Sequence, residues 1–206
     1  MATVTPSDVA ATALELARSK SPTLGSGRLI CVDGPAGSGK TTLAAAISAQ
    51  AGAPVVHMDA LYDGWEGLPR VSDQLDALLL PLAADEDGHY LRYDWDLQQY
   101  VETVTVPPAP LLVLEGVGSG SRAHAGLCTL LVWVEAPADL RLRRGLERDG
   151  VLLEGHFRQW MRDETEHFAR EGTRARADLF VDGTGHRSPT GTTAVGANRT
   201  APPHVS

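Results

Sequence analysis

The chain has 206 residues, 43% of them hydrophobic, with a formal net charge of −8, enough for one domain with a sizeable core. No apolar run approaches the ~20 residues needed to cross a bilayer, and Asp8, Glu15, Arg18 and Lys20 interrupt any secretory leader, so a cytoplasmic protein without a membrane partner is expected. The acidic balance speaks against a surface that coats nucleic acid, and two cysteines, Cys31 and Cys128, make neither a disulfide framework nor a zinc site; both are expected as buried free thiols.

Residues 7–18 read as a short amphipathic helix, with Ser7 or Asp8 as its cap and Val9, Leu14, Leu16 and Ala17 free to pack. After a turn-rich connector over 21–27, short apolar runs alternate with helical stretches. The runs are 29–32, 54–58, 111–114, 130–134 and 179–181, bounded by Gly, Pro or Asp as strands buried on both faces are. The helical stretches are 41–50, 71–82, 139–148 and 156–170. This alternation predicts an α/β fold with a central parallel sheet between two helical layers. Residues 88–106 break the rhythm: Tyr90, Tyr93, Trp95 and Tyr100 with alternating Val101, Val104 and Val106 suggest a small hairpin or extended insertion. Beyond Gly183 the composition collapses into Gly, Thr, Pro, Ala and Ser, and a disordered tail is expected. The organisation expected is a helix and connector over 1–24, a core domain over 25–184 and a tail over 185–206.

The motif G-x-x-x-x-G-K-[ST] occurs once, as Gly34, Pro35, Ala36, Gly37, Ser38, Gly39, Lys40 and Thr41, followed by Thr42. An apolar run enters it and an alanine-rich helix leaves it, the context of a phosphate-binding loop in a P-loop NTPase sandwich. Glycines let the backbone curl so that successive N–H groups point at a phosphate, and the helix N-terminus adds its positive end. Lys40 is then placed for the β/γ-phosphates and Thr41 for Mg²⁺. Of 18 basic residues only Lys20 and Lys40 are lysines, so a lysine at position 40 stands out in an arginine-rich chain.

Neither lysine sits in the Asn/Thr-Lys-x-Asp motif that reads guanine, no Leu-Ser-Gly-Gly-Gln signature of transport ATPases occurs, and the chain is too short for motor or AAA domains. A compact small-molecule kinase remains. It needs a base for the acceptor hydroxyl, an acid near Mg²⁺ and cations over the transferring phosphoryl group. Asp59 ends the second strand and Glu115 the third, at the edge where ligands gather in open α/β sheets. Nine arginines crowd residues 141–176, with Glu147, Glu154, Asp163, Glu164 and Glu166 as ordinary surface partners.

These residues resemble the uridine kinase branch of the P-loop nucleoside kinase and phosphoribulokinase family. The resemblance runs over about residues 28 to 183 and rests, beside the loop, on Asp59-Ala60-Leu61-Tyr62, Tyr93-Asp94-Trp95, Glu115-Gly116-Val117, the arginine-rich stretch from Asp139 through Arg144 to Arg148-Asp149, and Ala177-Asp178. It implies Asp59 as general base, Glu115 near Mg²⁺, Tyr62, Tyr93 and Trp95 around a nucleoside in a substrate hairpin, and Arg144 and Arg148 in a closing lid over ATP. Two departures stand out: the family's pyrimidine-facing histidine falls on Gln98, and the Arg-Gly-Arg segment beyond the lid has no counterpart. Three functions follow: a nucleoside kinase acting on a ribose 5′-hydroxyl, with Gln98 at the base edge; a kinase for another hydroxylated metabolite such as a sugar acid, pantothenate or nicotinamide riboside; or a P-loop protein that binds nucleotide without turnover. Acidic residues at both 59 and 115 count against the third.

Overall fold

The computed structural model describes residues 4–191. Its first helix, α1 (Pro6–Ser19), is capped by Thr5 rather than by Ser7 or Asp8. Thr5 Oγ1 accepts from the Asp8 amide at 3.2 Å and the Thr5 amide donates back to Asp8 Oδ2 at 3.0 Å. This is a reciprocal capping box, with Pro6 at the first helical position where no N–H is needed; Asp8 stands at the third helical position and is not the cap.

The chain continues as β1 (Arg28–Asp33), α2 (Lys40–Ala51), β2 (Val55–His57), α3 (Ser72–Ala83), β3 (Gly88–Asp94), β4 (Gln99–Val106), β5 (Leu111–Glu115), β6 (Leu130–Glu135), α4 (Ala138–Asp149), α5 (Glu154–Glu171), α6 (Thr173–Arg176), β7 (Leu179–Asp182) and β8 (Thr190–Gly191). Each expected core strand and helix is present within two residues at either end. The main sheet has the order β2-β5-β1-β6-β7-β8. Its first five strands are parallel, and β8 adds an antiparallel edge along Leu179 and Phe180. That strand lies in the segment expected as tail; residues 192–206 lie outside the described residues. The insertion is a separate antiparallel hairpin, β3 with β4. No helix among the described residues is long and apolar enough to cross a membrane.

Successive side chains of a strand point to opposite faces, and β1 divides the core accordingly. Leu29 and Cys31 join a cluster with Leu75, Leu78, Leu79 and Leu82 of α3 and Trp160 of α5. Ile30 and Val32 join the opposite cluster with Val9, Ala13 and Leu14 of α1 and Leu43, Ala44 and Ile47 of α2. The sheet is therefore covered on both sides, which is why its strands read as continuous apolar runs. Cys31 is buried as expected, whereas Cys128 is only half-buried.

Candidate active site

Register brings three strand ends to one edge. β5 lies between β1 and β2, so that Glu115 is opposite Val32 on one side and His57 on the other. The loop after β1, the turn after β2 and the last residue of β5 thus meet at the carboxyl edge of the sheet. They line one cleft of about 820 Å³.

On the phosphate side, Gly39 precedes α2 with φ 103° and no side chain to bond the first-turn amides, which leaves those donors available to an anion. Neighbours press on the loop from outside. A Cβ on Gly34 (φ 136°) would meet the Val134 carbonyl oxygen at 2.1 Å, and one on Gly37 (φ 75°) would meet the Arg141 carbonyl oxygen at 2.5 Å, so both positions require glycine for conformation and for space. Ala36, Gly37, Gly39, Lys40, Thr41 and Thr42 line the cleft. The Lys40 ammonium donates to the Pro35 carbonyl at 2.9 Å, curled over the loop it would serve.

Asp33, to which the sequence reading attached no role, anchors the base of the loop. Its Oδ1 accepts from the amides of Gly34 (2.7 Å) and Gly118 (3.0 Å), and its Oδ2 from Gly120 (2.9 Å). It is fully buried, and that burial pushes its pKa up to about 6 against the pull of the three amides and Lys40.

Glu115 is buried beneath the loop. Its Oε1 accepts from the Thr41 hydroxyl at 3.2 Å and lies 2.6 Å from His57 Nδ1. The hydrogen bond to Glu115 raises the pKa of His57. Asp59 follows in the single turn Met58–Ala60; it is exposed and lines the cleft. Desolvation, then the Glu115 charge, raise its pKa, with Lys40, Arg148 and His57 pulling the other way.

The remaining wall is aromatic, and its hub is a residue the sequence did not single out. Trp65 stacks on His156 (centroids 5.2 Å apart) and meets Trp95, Phe157 and Trp160 edge-on at 5.4, 5.5 and 6.1 Å. Of the expected acceptor residues, Trp95 lines the cleft and its indole N–H donates to the Asp59 carbonyl at 2.9 Å. Tyr62 also lines it, with its hydroxyl donating to the Val117 carbonyl at 2.5 Å, so it offers a ring rather than a hydroxyl. Tyr93 is buried and packs edge-on against Trp95 and Tyr100, each at 5.4 Å; it supports Trp95 and is not part of the wall. Gln98 takes the left-handed position (φ 53°) of the hairpin turn, exposed and outside the lining.

Of the nine arginines over 141–176, Arg144 and Arg148, the two expected in a lid, line the cleft. Arg144 donates to the carbonyls of Gly37 (3.2 Å) and Gly183 (3.1 Å). Arg148 is held by both carboxylate oxygens of Asp149, at 2.7 and 2.6 Å. Arg158 makes the expected surface pair with Glu154. Arg141 does not: with Glu164 it forms a buried pair at 2.7 Å.

Among the described residues no group of three or more His, Cys, Asp or Glu side chains is arranged to hold a metal alone. The Thr41 hydroxyl and the Glu115 carboxylate are a hard, all-oxygen pair beside the loop. Such a partial set suits Mg²⁺, which usually keeps water and takes one or two carboxylates together with substrate phosphates.

No protein-family model matches the chain, and no curated protein matches it. Among solved structures, the chain is similar to a possible uridine kinase from Bacillus stearothermophilus, at 20% identity over 86% of this chain and 97% of that one, with a TM-score of 0.60. It is also similar to a protein described as a fructose transport system kinase from a Silicibacter species, at 22% identity over 88% and 91% of the two chains, with a TM-score of 0.49. At 20% identity the likeness to the first concerns architecture: the chain has an α/β fold, a mostly parallel sheet flanked by helices.

Proposed function

We propose that this protein is a kinase that transfers the γ-phosphate of Mg·ATP to a hydroxyl of a small molecule, foremost the 5′-hydroxyl of a nucleoside. The observation that carries the reading is the sharing of one cleft by a phosphate loop, a poised carboxylate and an aromatic wall. The loop amides and Lys40 receive the phosphates. Asp59, with its pKa raised, accepts the proton of the attacking hydroxyl at its carboxylate, a general-base role. Arg144 and Arg148 lie where positive charge stabilises the transferring group. Trp65, Trp95, Phe157 and Trp160 enclose a flat ring and exclude water. Thr41 and Glu115 would hold Mg²⁺, which when bound neutralises phosphate charge.

A second reading, a kinase for a different hydroxylated metabolite, is favoured by one observation: Gln98 stands outside the cleft, so no side-chain amide reads a base edge there. Coupled ADP release by the purified protein, over a panel of nucleosides, sugar acids, pantothenate and simple alcohols with Mg²⁺, separates the two. Turnover of at least one nucleoside far above the other classes is expected. Activity confined to a non-nucleoside alcohol would replace the first reading with the second, and tight ATP binding without any turnover would favour a nucleotide-binding protein that does no chemistry.

A further inference from the structure

Helix α5 buries Phe157, Trp160, Glu164 and His167, spaced i, i+3, i+7 and i+10 along one face. A carboxylate in that stripe is costly unless every lone pair is used. Glu164 is 1% exposed, and both of its oxygens are engaged. Oε2 accepts from the backbone amide of Ala36 at 2.7 Å, and Oε1 accepts from the Arg141 guanidinium at 2.7 Å. The same guanidinium nitrogen donates to the Ala36 carbonyl at 3.2 Å, while Arg141 Nε donates to the Ala136 carbonyl at 3.1 Å. The Ala36 residue of the phosphate loop is therefore gripped at its N–H by a carboxylate and at its C=O by the cation that neutralises that carboxylate.

We infer that Glu164 and Arg141 are a positioning pair that fixes the outer turn of the phosphate loop in its phosphate-receiving shape and ties it to helix α5, whose Phe157 and Trp160 line the same cleft. The inference rests on the loop binding a nucleoside triphosphate, as proposed above. Apolar residues of similar size stabilise a buried contact as well as an ion pair does, or better; the contribution of this pair lies in what it holds. Glu164 occupies the Ala36 amide, so that residue is set as a hinge point and the amides from Gly37 onward are presented to the ligand. An unshielded carboxylate this close to a triphosphate would repel it, and Arg141 removes that repulsion.

Calorimetric titration with Mg·ATP, with inorganic tripolyphosphate plus Mg²⁺ and with adenosine tests the inference on the wild-type protein, on Glu164→Gln and on the double variant Arg141→Met/Glu164→Leu. Glu164→Gln leaves Arg141 buried without its counter-charge. The double variant removes both charges together, and its melting temperature is expected to stay within a few degrees of wild type. In the double variant the Kd for tripolyphosphate and the Kd for ATP are expected to rise by the same factor, about ten- to a hundredfold, with adenosine affinity unchanged. Wild-type affinity for tripolyphosphate in the double variant would overturn the inference, as would weaker binding of ATP alone or failure of the double variant to fold, since the pair would then be structural only. A wild-type protein that binds neither phosphate ligand would overturn the proposed function and this inference with it.

Discussion

The two sides of the cleft are built from different materials. The proposed phosphate side is mostly backbone: one continuous strand-loop-helix segment, with amides left uncapped at Gly39 and glycines packed against Val134 and Arg141. The proposed acceptor side is mostly side chain, drawn from three separate places: the turns after β2, which supply Asp59 and Trp65; the hairpin, which supplies Trp95; and α5, which supplies Phe157 and Trp160. A triphosphate presents the same oxygens to every enzyme, so backbone amides at a helix start with one lysine can receive it. An acceptor differs from one enzyme to the next, and selectivity for it has to be assembled from side chains on elements that are distant in sequence.

Substitutions can break this contrast or sharpen it. The largest effect is expected from Lys40→Ala. The other lysine, Lys20, is paired with Asp178 at 2.6 Å and cannot substitute, so calorimetry and ADP release should show strongly weakened Mg·ATP binding and no turnover. Asp59→Asn should leave ATP affinity intact while kcat falls by ~10²–10⁴, the range for a lost general base. Because the Asp59 pKa is raised and only the deprotonated carboxylate accepts the hydroxyl proton, wild-type kcat/KM should be full at higher pH. It should fall as pH drops through a value above the ordinary carboxylate range, and the Asn variant should lack that limb.

On the acceptor side, Trp65→Ala should raise KM for a nucleoside acceptor by the equivalent of about 1–3 kcal/mol, the usual worth of an aromatic ring against a base, and spare KM for ATP. Gln98→Leu, on the exposed hairpin turn, should change kcat/KM by no more than about 0.5 kcal/mol; a larger loss would mean that the hairpin tip reaches the acceptor. The smallest effect belongs to neither side. Thr5→Ala removes the α1 cap and should cost about 1 kcal/mol of stability, seen in thermal melts, with activity unchanged.

The same contrast explains what could be read in advance. The phosphate loop is local, so its motif, flanking strand and helix were all visible in one stretch, as were Asp59 and Glu115 at the ends of recognisable strands. The hairpin showed itself through alternating aromatic and β-branched residues. Of the aromatic wall, Tyr62 and Trp95 were expected at the site, but Trp65, Phe157 and Trp160 were not. Trp65 sits in the first of two consecutive single-turn helices, Gly64–Glu66 and Leu68–Arg70, where no periodicity marks a buried side. Phe157 and Trp160 have the spacing of any core-facing helix residues. Glu164 looked like one more acidic residue among Asp163 and Glu166, and only the packing of α5 under the loop separates it from its solvated neighbours. Tyr93 was expected at the substrate, yet one position on a strand decides between lining a cleft and propping up the residue that does. Asp33 showed only as the end of a strand, because its three amide partners come from turns 1, 85 and 87 residues away.

The central claim is that one cleft brings a phosphate donor and an aromatic hydroxyl acceptor together for direct transfer, and resolving the products tests it most directly. Wild-type protein incubated with Mg·ATP and the best nucleoside of the panel should yield ADP and a nucleoside 5′-monophosphate in equal amounts, with no build-up of inorganic phosphate. ADP accompanied only by inorganic phosphate, at a rate the nucleoside does not change, would contradict it.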